Sequence, residues 1–177
     1  DIAVFAKSMA NGYAMSAILG IEKVMQAAQS SFISSTNWTD SIGPTAALAT
    51  LKEMEAIESW SYITELGHYI QDKWSELSKL HNIEISISGI PALSSFSFDS
   101  KKSNLYKTYL TQHMLEKNIL AANSIYVCTE HTKKNVDVYL NELSEVFKIV
   151  AKSENEKLDV NSLLKTNEAF TGFKRLN

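Results

Sequence analysis

The residue with the clearest potential for covalent chemistry is Lys7, which follows an apolar run at residues 2–6 and precedes a small-residue loop containing Gly12. An amine held at the end of a strand, away from water, has a lowered pKa and can attack a carbonyl carbon to form a Schiff base. A lysine with no chemical role at an exposed strand end fits the same local pattern. The residue types alone leave both interpretations open.

Other reactive side chains are sparse and do not form a recognisable metal site. The four histidines (His68, His81, His113 and His131) are scattered, with no pair spaced to ligate from one helix face. Cys128 is the single cysteine, which excludes an internal disulfide and a multi-cysteine metal centre. We therefore expect no metal, and we interpret Cys128 as an inert residue of an apolar strand.

Charge and hydropathy exclude several classes of protein. The 177 residues carry a net charge of −3, with 45% hydrophobic and 21% charged residues, as in an average globular protein. Nucleic acid and anionic membranes both attract a concentrated positive surface, which this balance does not provide. No apolar run approaches the ~20 residues that span a bilayer. The sequence predicts a soluble, cytoplasmic protein with no nucleic-acid or membrane partner.

The order of hydrophobic patterns predicts a mixed α/β chain. Apolar runs at 2–6 and 15–19 predict strands, the first of them buried, and an alternating pattern at 83–98 predicts two more. Spacings of three and four between residues 48 and 80 predict one long amphipathic helix or two in series. We predict a boundary inside this helical region, which gives a first domain at 1–59 and a second at 60–177.

The last third of the chain contains two further predicted helices. Ser103 is predicted to cap the first. Thr132 is predicted to start the second, with an inward stripe from Val136 to Val150. Residues 153–159 are polar and resemble a linker, and residues 163–177 are predicted to form a tail. A short strand is predicted at 125–128.

Three segments, taken in order, resemble class III aminotransferases, including the glutamate-1-semialdehyde 2,1-aminomutases. Residues 1–20 are similar to that family's lysine region, an apolar strand, Lys and a turn with Gly, followed by a strand ending in Gly. Residues 38–51 are similar to its Phe-Thr-x-Ser-Gly-x-Pro-x-Ala-x-Ala segment. The stretch from Glu130-His131-Thr132 to Val136-Asp137 is similar to the opening of its last helix.

The resemblance implies the C-terminal part of a fold-type-I enzyme that depends on pyridoxal 5'-phosphate: the end of the large domain, then an α+β small domain. Lys7 would form the Schiff base with the cofactor, and Thr39 would reach the cofactor phosphate of the neighbouring subunit. Asn11 and Gly12 would form the turn that approaches the cofactor. The implied enzyme is a homodimer that transfers an amino group from an amine or amino acid to a carbonyl compound.

Departures from the family pattern keep alternatives open. Ala14 replaces a common proline, and Ser41-Ile42-Gly43-Pro44 stands where Ser-Gly-x-Pro is usual. Asn123 occupies the position where the aminomutases generally carry glutamate, which favours an ordinary aminotransferase over a mutase. Arg175 could pair with a substrate carboxylate, although a surface role fits it better. The chain begins just before Lys7, so we also expect a fragment that is inactive alone, or a catalytically silent dimerisation module.

Overall fold

The computed structural model describes residues 1–34, 36, 39–170 and 172, and the chain divides into two compact units at 1–60 and 61–177. Trp38, the first residue of the 38–51 segment, and Arg175 lie outside the described residues. Among the described residues, no helix is both long enough and apolar enough to cross a membrane. The mixed α/β composition predicted from the sequence is confirmed, while the assignment of the first unit to a large cofactor-binding domain stays a prediction.

The first unit contains an antiparallel strand pair followed by helices. Its elements are strand β1 (Ile2–Phe5), a 3-10 helix (Lys7–Ala10), strand β2 (Ala17–Gly20), helix α1 (Glu22–Met25), a 3-10 helix (Gln26–Ser30) and helix α2 (Ile42–Ala56). In the strand pair, Ile2 lies opposite Gly20 and Phe5 lies opposite Ala17. Helix α2 begins two residues before Pro44, which therefore lies inside the first turn, where its missing N–H is tolerated.

Strand β1 is exposed along its whole length, so the prediction of a buried strand is wrong for this chain. Val4 is 68% exposed and Ile18, its partner on β2, is 57% exposed. Two strands alone offer no second layer that could cover both of their faces. The apolar pattern predicted the strand correctly, but burial depends on what packs against it.

The long helical region is two helices in series. Helix α2 ends at Ala56, and helix α3 (Ser59–His81) starts after a short break. Glu58 lies in that break with φ of 46°, a left-handed conformation that interrupts the helical path. The periodicity of apolar residues continues across the break, which is why the sequence did not distinguish one helix from two.

The second unit packs helices on one face of a three-stranded antiparallel sheet. Its elements after α3 are strand β3 (Ile85–Ile90), strand β4 (Leu93–Phe98), helix α4 (Ser103–Glu116), strand β5 (Ser124–Tyr126), helix α5 (Lys133–Glu154) and a 3-10 helix (Val160–Leu163). The strand order is β3-β4-β5. Alternate residues of β4 are buried (Ser94, Phe96 and Phe98), as expected for a sheet covered on one side.

An aromatic cluster forms the centre of this unit. Trp74 of α3 is fully buried and meets Phe96 edge to face, with ring centroids 4.9 Å apart. Phe96 also meets Phe147 of α5 at 5.7 Å, and Phe98 meets Tyr106 of α4 at 5.6 Å. Edge-to-face pairs add to the stabilisation that burial of the rings provides. One cluster therefore joins all three helices to the sheet.

Helix α5 confirms the sequence prediction at its start and corrects it at its end. The Thr132 hydroxyl accepts a hydrogen bond from the Asn135 backbone N–H at 3.2 Å, and the predicted stripe from Val136 to Val150 is buried. The helix continues to Glu154, and Ser153 is buried within it, so the predicted linker begins later. A serine within a polar stretch gives no sign that a neighbouring helix covers it.

Two other local predictions are wrong. The residue before helix α4 is Lys102, whose side chain makes no cap, and Ser103 is already helical; the Ser100 hydroxyl accepts from the Lys102 N–H instead, at 3.1 Å. Strand β5 ends at Tyr126, and Cys128 is exposed beyond it. Both errors shift an element boundary by one or two residues, which local sequence patterns do not fix.

Residues 163–169 lie along helix α4 instead of forming a free tail. Asn104, Thr108 and Gln112 follow one another at four-residue intervals on α4, so they share one face. The Asn104 amide donates to the Ala169 carbonyl at 2.7 Å, and the Thr108 hydroxyl accepts from the Ala169 N–H at 3.0 Å. The Gln112 amide donates to the Leu163 carbonyl at 3.0 Å. Polar side chains on α4 thus satisfy the backbone of this segment.

A tyrosine and a glutamate link helices α4 and α5. The Tyr106 hydroxyl donates to Glu154 Oε1 at 2.6 Å, and the Ser100 hydroxyl donates to the same oxygen at 2.7 Å. The bond from Tyr106, and then that from Ser100, holds the pKa of Glu154 below its ordinary value. Burial, followed by the bond to Glu154, raises the pKa of Tyr106 to about 12. The carboxylate form of Glu154 is therefore the form that the folded state favours.

The Glu154→Gln substitution should flatten the acid side of the stability profile. A carboxyl whose pKa is lowered by folding stabilises the fold above its unfolded value and loses that contribution as pH falls through the folded pKa. The unfolding free energy of the wild type should therefore drop below pH 4.5 more steeply than that of the variant. Urea unfolding at several pH values measures this. Glu156→Gln, two residues further on and exposed, is the control and should keep the wild-type slope; equal slopes for all three proteins would contradict the prediction.

Candidate functional site

Lys7 occupies a strained position immediately after the first strand. It begins the 3-10 helix that follows β1 and has φ of 57°, in the left-handed region. A non-glycine residue there costs roughly 1–3 kcal/mol and persists only where the surroundings impose it. The Met9 N–H donates to the Ala6 carbonyl at 3.2 Å, and the Asn11 N–H donates to the Ser8 carbonyl at 3.1 Å, which fixes the turn on both sides of Lys7. The local fold therefore holds the Lys7 backbone in one defined conformation.

The side chain of Lys7 is exposed in this chain. The sequence argument for an activated amine rested on desolvation at a strand end, and the first unit does not supply it. The amine is therefore accessible for reaction with a carbonyl compound. Any loss of water around it would have to come from a bound molecule or from another part of an assembled site.

Asn11 and Gly12 form the turn after the lysine. Asn11 is left-handed, with φ of 45° and ψ of 51°, and Gly12 has φ of 106°. A side-chain carbon placed on Gly12 would find no atom within 4 Å, so the glycine faces open space. Ala10, just before the turn, is completely buried. The turn is thus anchored on one side and open on the other, where a ligand can approach the backbone.

Thr39 lies on the segment that leads into helix α2, and its side chain is exposed. The Ile42 N–H at the start of the helix donates to Asp40 Oδ1 at 2.9 Å. A carboxylate at a helix N-terminus is favourable because it faces the positive end of the helix dipole. Since this N–H already has a partner, the Thr39 hydroxyl is the more available donor for an anion near this end of the helix.

A close contact connects the lysine loop with the segment that carries Thr39. Gly43 is buried in the first turn of α2, and a Cβ added there would lie 2.9 Å from the Ala14 carbonyl oxygen and 3.3 Å from Met15 Cβ. The 3-10 helix of Lys7 also packs against α2. The two segments that the sequence identified separately therefore lie side by side in the first unit. Gly43, which lies one position later than the glycine of the family's Ser-Gly-x-Pro pattern, is the residue that permits this contact.

The third segment lies in the second unit and has mainly structural contacts. The Tyr69 hydroxyl donates to Asp137, which raises the pKa of Tyr69 to about 12. The Lys133 ammonium lies 4.8 Å from the centroid of the Tyr69 ring, so this lysine pairs with an aromatic face. Nothing in the sequence pairs Tyr69 with residues almost seventy positions away.

Asn123, which stands where a mutase would carry glutamate, has partners of its own. Its side-chain amide donates to the Phe96 carbonyl at 2.7 Å, and its backbone carbonyl accepts from the Phe96 N–H at 2.9 Å. The side chain thereby extends the pairing beside strands β4 and β5. It holds the sheet edge and is not free to act on a ligand through the same amide proton.

Within the described part of the chain, no group of three or more histidine, cysteine, aspartate and glutamate side chains is placed to hold a metal ion. His113 instead pairs with Glu142 at 2.9 Å, and Lys117 lies 3.3 Å from the same carboxylate. The bond from His113 is the main reason that the pKa of Glu142 is lowered.

Comparison with known proteins identifies relatives for most of the chain. The model of the family described as aminotransferase class-III matches residues 1–145. A curated relative, the 3-aminobutyryl-CoA aminotransferase of Cloacimonas acidaminovorans (strain Evry), is 27% identical over 160 residues. That match covers 85% of this chain and 39% of the relative, so the chain spans well under half of the relative's length.

Solved structures show the same fold. The PLP internal aldimine form of the FumI protein of Sphingopyxis sp. MTA144 matches with a TM-score of 0.77 and 19% identity, over 92% of this chain and 40% of that one. A β-phenylalanine aminotransferase of Variovorax paradoxus matches with a TM-score of 0.74 and 16% identity, over 87% and 39%. The fold-type-I prediction is confirmed.

The Gly43→Ala substitution should lower stability, because the added methyl group overlaps the Ala14 carbonyl oxygen. Overpacking of this kind typically costs about 1–3 kcal/mol, which exceeds the ~1 kcal/mol that alanine gains over glycine in a helix. Urea unfolding measures the change. Ser41→Ala, at the exposed residue before the same helix, is the control and should have little effect because its side chain makes no cap. A Gly43→Ala protein as stable as the wild type would contradict the close contact.

Proposed function

Since the chain belongs to the class-III aminotransferases, whose cofactor is pyridoxal 5'-phosphate, we propose that Lys7 is the residue that binds this cofactor covalently and that the complete enzyme transfers amino groups. The amino donor is an amine or amino acid, and the acceptor is a carbonyl compound. The alignment of the lysine segment with the family supports this assignment. The curated relative, named as an aminotransferase, supports transfer of an amino group as the reaction.

The observation that carries the proposal is the conformation of Lys7. A lysine has no intrinsic reason to adopt φ of 57° at the end of a strand. Such strain concentrates at functional positions, where surrounding structure maintains it for a purpose. The strained residue is also the one that the family resemblance identifies independently. Two separate observations thus support the same side chain.

The residues around Lys7 fit a phosphorylated aldehyde. The primary amine is exposed for attack on an aldehyde carbon, and the open backbone at Gly12 gives a flat ring room to approach. The Thr39 hydroxyl is an uncharged donor suited to a phosphate oxygen. We propose that Asn11 and Gly12 contact the cofactor, and that Thr39 binds the phosphate of the partner subunit's cofactor in a homodimer.

Bound pyridoxal phosphate supplies an electron sink for the bond that breaks at the substrate carbon. The chain supplies a proton carrier. With the cofactor held there, Lys7 Nζ would lie close to the substrate carbon and would take up its proton as a general base. The same nitrogen would then deliver that proton to the cofactor side of the reacting group. General base catalysis by a positioned amine typically contributes about 10²–10⁴-fold to the rate.

Two alternatives remain as second proposals. An aminomutase is disfavoured because Asn123 replaces the expected glutamate and bonds to the Phe96 backbone. A catalytically silent dimerisation module is favoured by the exposed apolar strands, where Val4 and Ile18 face solvent. Under that alternative Lys7 has no covalent role, so a chemical test of the amine separates the two. We propose a cytoplasmic location for either form.

The Lys7→Ala substitution, made in the enzyme expressed from its complete coding sequence, should abolish transamination. Removal of the amine removes both the covalent link and the proton carrier. After incubation with pyridoxal phosphate and borohydride, the wild type should gain the mass of one reduced cofactor on the peptide that contains Lys7, and the variant should gain none. Lys23→Ala, at an exposed lysine of α1, is the control and should behave as the wild type. Turnover retained by Lys7→Ala, or a label on another lysine, would reject the proposal.

Replacement of Thr39 should weaken cofactor binding only when the new side chain lacks a hydroxyl. Thr39→Ala should raise the dissociation constant of pyridoxal phosphate about tenfold or more, since a hydrogen bond to a charged group contributes roughly 1.5–3 kcal/mol. Thr39→Ser keeps the hydroxyl and should stay close to the wild type. Fluorescence titration of the apoenzyme gives both constants. If the alanine and serine variants bind equally well, Thr39 does not contact the phosphate.

A further inference from the structure

Asn11 is the one asparagine of this sequence that is followed by glycine. The side-chain amide carbon of an asparagine can be attacked by the backbone nitrogen of the next residue, which closes a five-membered imide ring. A side chain on that next residue hinders the attack, and glycine has none. The amino-transfer proposal places the turn of Asn11 and Gly12 at the cofactor but does not use this reactivity.

Three asparagines among the described residues share the left-handed conformation, with φ of 45° at Asn11, 52° at Asn82 and 59° at Asn118. All three are exposed. The backbone N–H of each donates to the carbonyl of the residue three positions earlier. Since their own conformation and exposure match, a difference in reactivity must come from the residue that follows each of them.

The residues that follow Asn82 and Asn118 have their backbone nitrogens held in hydrogen bonds. The Ile83 N–H donates to the Ser78 carbonyl at 3.0 Å, and the Ile119 N–H donates to the Met114 carbonyl at 2.8 Å. These bonds close the C-terminal ends of α3 and α4. Each must break before the nitrogen can turn towards the amide carbon of the preceding asparagine, so both turns are protected.

The Gly12 N–H, in contrast, has no acceptor within the described part of the chain, and the Asn11 side-chain amide has no hydrogen-bond partner there. The 3-10 helix before this turn has four residues, which is too short for the closure that the other two turns make. Asn11 has ψ of 51°, so a rotation about its Cα–C bond must bring Gly12 N to the amide carbon. A side-chain carbon on Gly12 would meet no atom within 4 Å, so this side of the turn is open to the rotation.

We propose that Asn11 converts spontaneously to aspartate and isoaspartate, which makes the lysine loop a site of chemical ageing. Gly12 N forms a bond to Asn11 Cγ, the bond from Cγ to Nδ2 breaks, and ammonia leaves with the proton of the Gly12 N–H. Water then opens the imide. Cleavage of the new bond to Cγ gives aspartate, and cleavage of the bond to the main-chain carbonyl carbon gives isoaspartate. No oxidant or reductant takes part.

Incubation of the folded 177-residue chain in H₂¹⁸O, followed by tryptic digestion in ordinary water and mass spectrometry, measures the conversion. Each event during the incubation adds one ¹⁸O atom, which for Asn11 appears in the peptide 8–23. The rate at Asn11 should exceed the rates at Asn82 and Asn118 about tenfold or more, the factor that one backbone hydrogen bond contributes. It should also rise with pH, because the attacking nitrogen must lose its proton. Equal rates at the three asparagines would overturn the proposal.

Two comparisons separate the effect of the fold from that of the Asn-Gly dipeptide. In urea, Asn11 should convert at most about tenfold faster than in the folded chain, since no bond of the Gly12 N–H protects it. Conversion confined to the unfolded chain would overturn the proposal. Ile119→Gly places a glycine after Asn118 but keeps the N–H that bonds to Met114, so Asn118 should stay about tenfold slower than Asn11 in that variant. With folding confirmed by thermal unfolding, equal rates there would contradict the role of the free Gly12 N–H.

The conversion would also change the cofactor site, and this consequence rests on the function proposed for Lys7. A carboxylate at position 11 would repel a phosphate held nearby. In the enzyme expressed from its complete coding sequence, Asn11→Asp should bind pyridoxal phosphate about fivefold or more weakly than Asn11→Gln, whose side chain stays neutral. A wild type that gains no borohydride label at Lys7 would reject the proposed function alone, because the conversion of Asn11 is measured by mass. Equal binding by the two variants, with the label present, would overturn only the effect on the cofactor.

Discussion

The close approach of helix α3 to the turn between β3 and β4 sets the arrangement of the second unit. A Cβ placed on Gly67 would lie 2.1 Å from the Pro91 carbonyl oxygen, so this contact requires a glycine. One turn further along α3, the Gln71 amide donates to the Ser94 hydroxyl at 2.8 Å. The Ser94 hydroxyl in turn donates to the Ile90 carbonyl at 2.9 Å. The backbone contact at Gly67 and the hydrogen bond of Gln71 therefore align α3 with the hairpin. Both lie on the part of α3 that precedes Trp74.

The aromatic core depends on this alignment. Trp74 follows Gly67 by two turns on the same helix face and packs against Phe96, while its indole N–H reaches the Tyr139 hydroxyl on α5. Trp74 therefore links the sheet to α5.

A glycine also permits a close backbone contact in the first unit, where it brings a helix against the lysine loop. Gly43 allows α2 to approach the lysine loop at Ala14, and the strain at Lys7 is held between β1 and the buried Ala10. The apolar side chains of β1 and β2 remain exposed. Large exposed apolar surfaces on folded proteins mark places where other protein surfaces pack. This feature is consistent with the proposed role of the unit as part of a larger site, in which a covering surface would also remove water from Lys7.

The sequence by itself determined most of the elements and the position of the lysine that we propose to be reactive. Apolar spacing is a local property, so the periods of three to four and of two predicted α3, α5, β3 and β4. The cap at Thr132 was predicted because it involves residues only three positions apart. The family resemblance indicated Lys7, Asn11, Gly12 and Thr39 for the same reason, since each motif is contiguous. Their roles remain proposals.

Only the tertiary structure decided which of these residues meet and which are buried. The exposure of β1 and Cys128 and the burial of Ser153 depend on which distant segments pack against them. The partners of Tyr69, Tyr106 and Tyr139 are likewise distant, because a phenol on one helix can bond to any group that packing brings to it. A linear pattern does not contain that information.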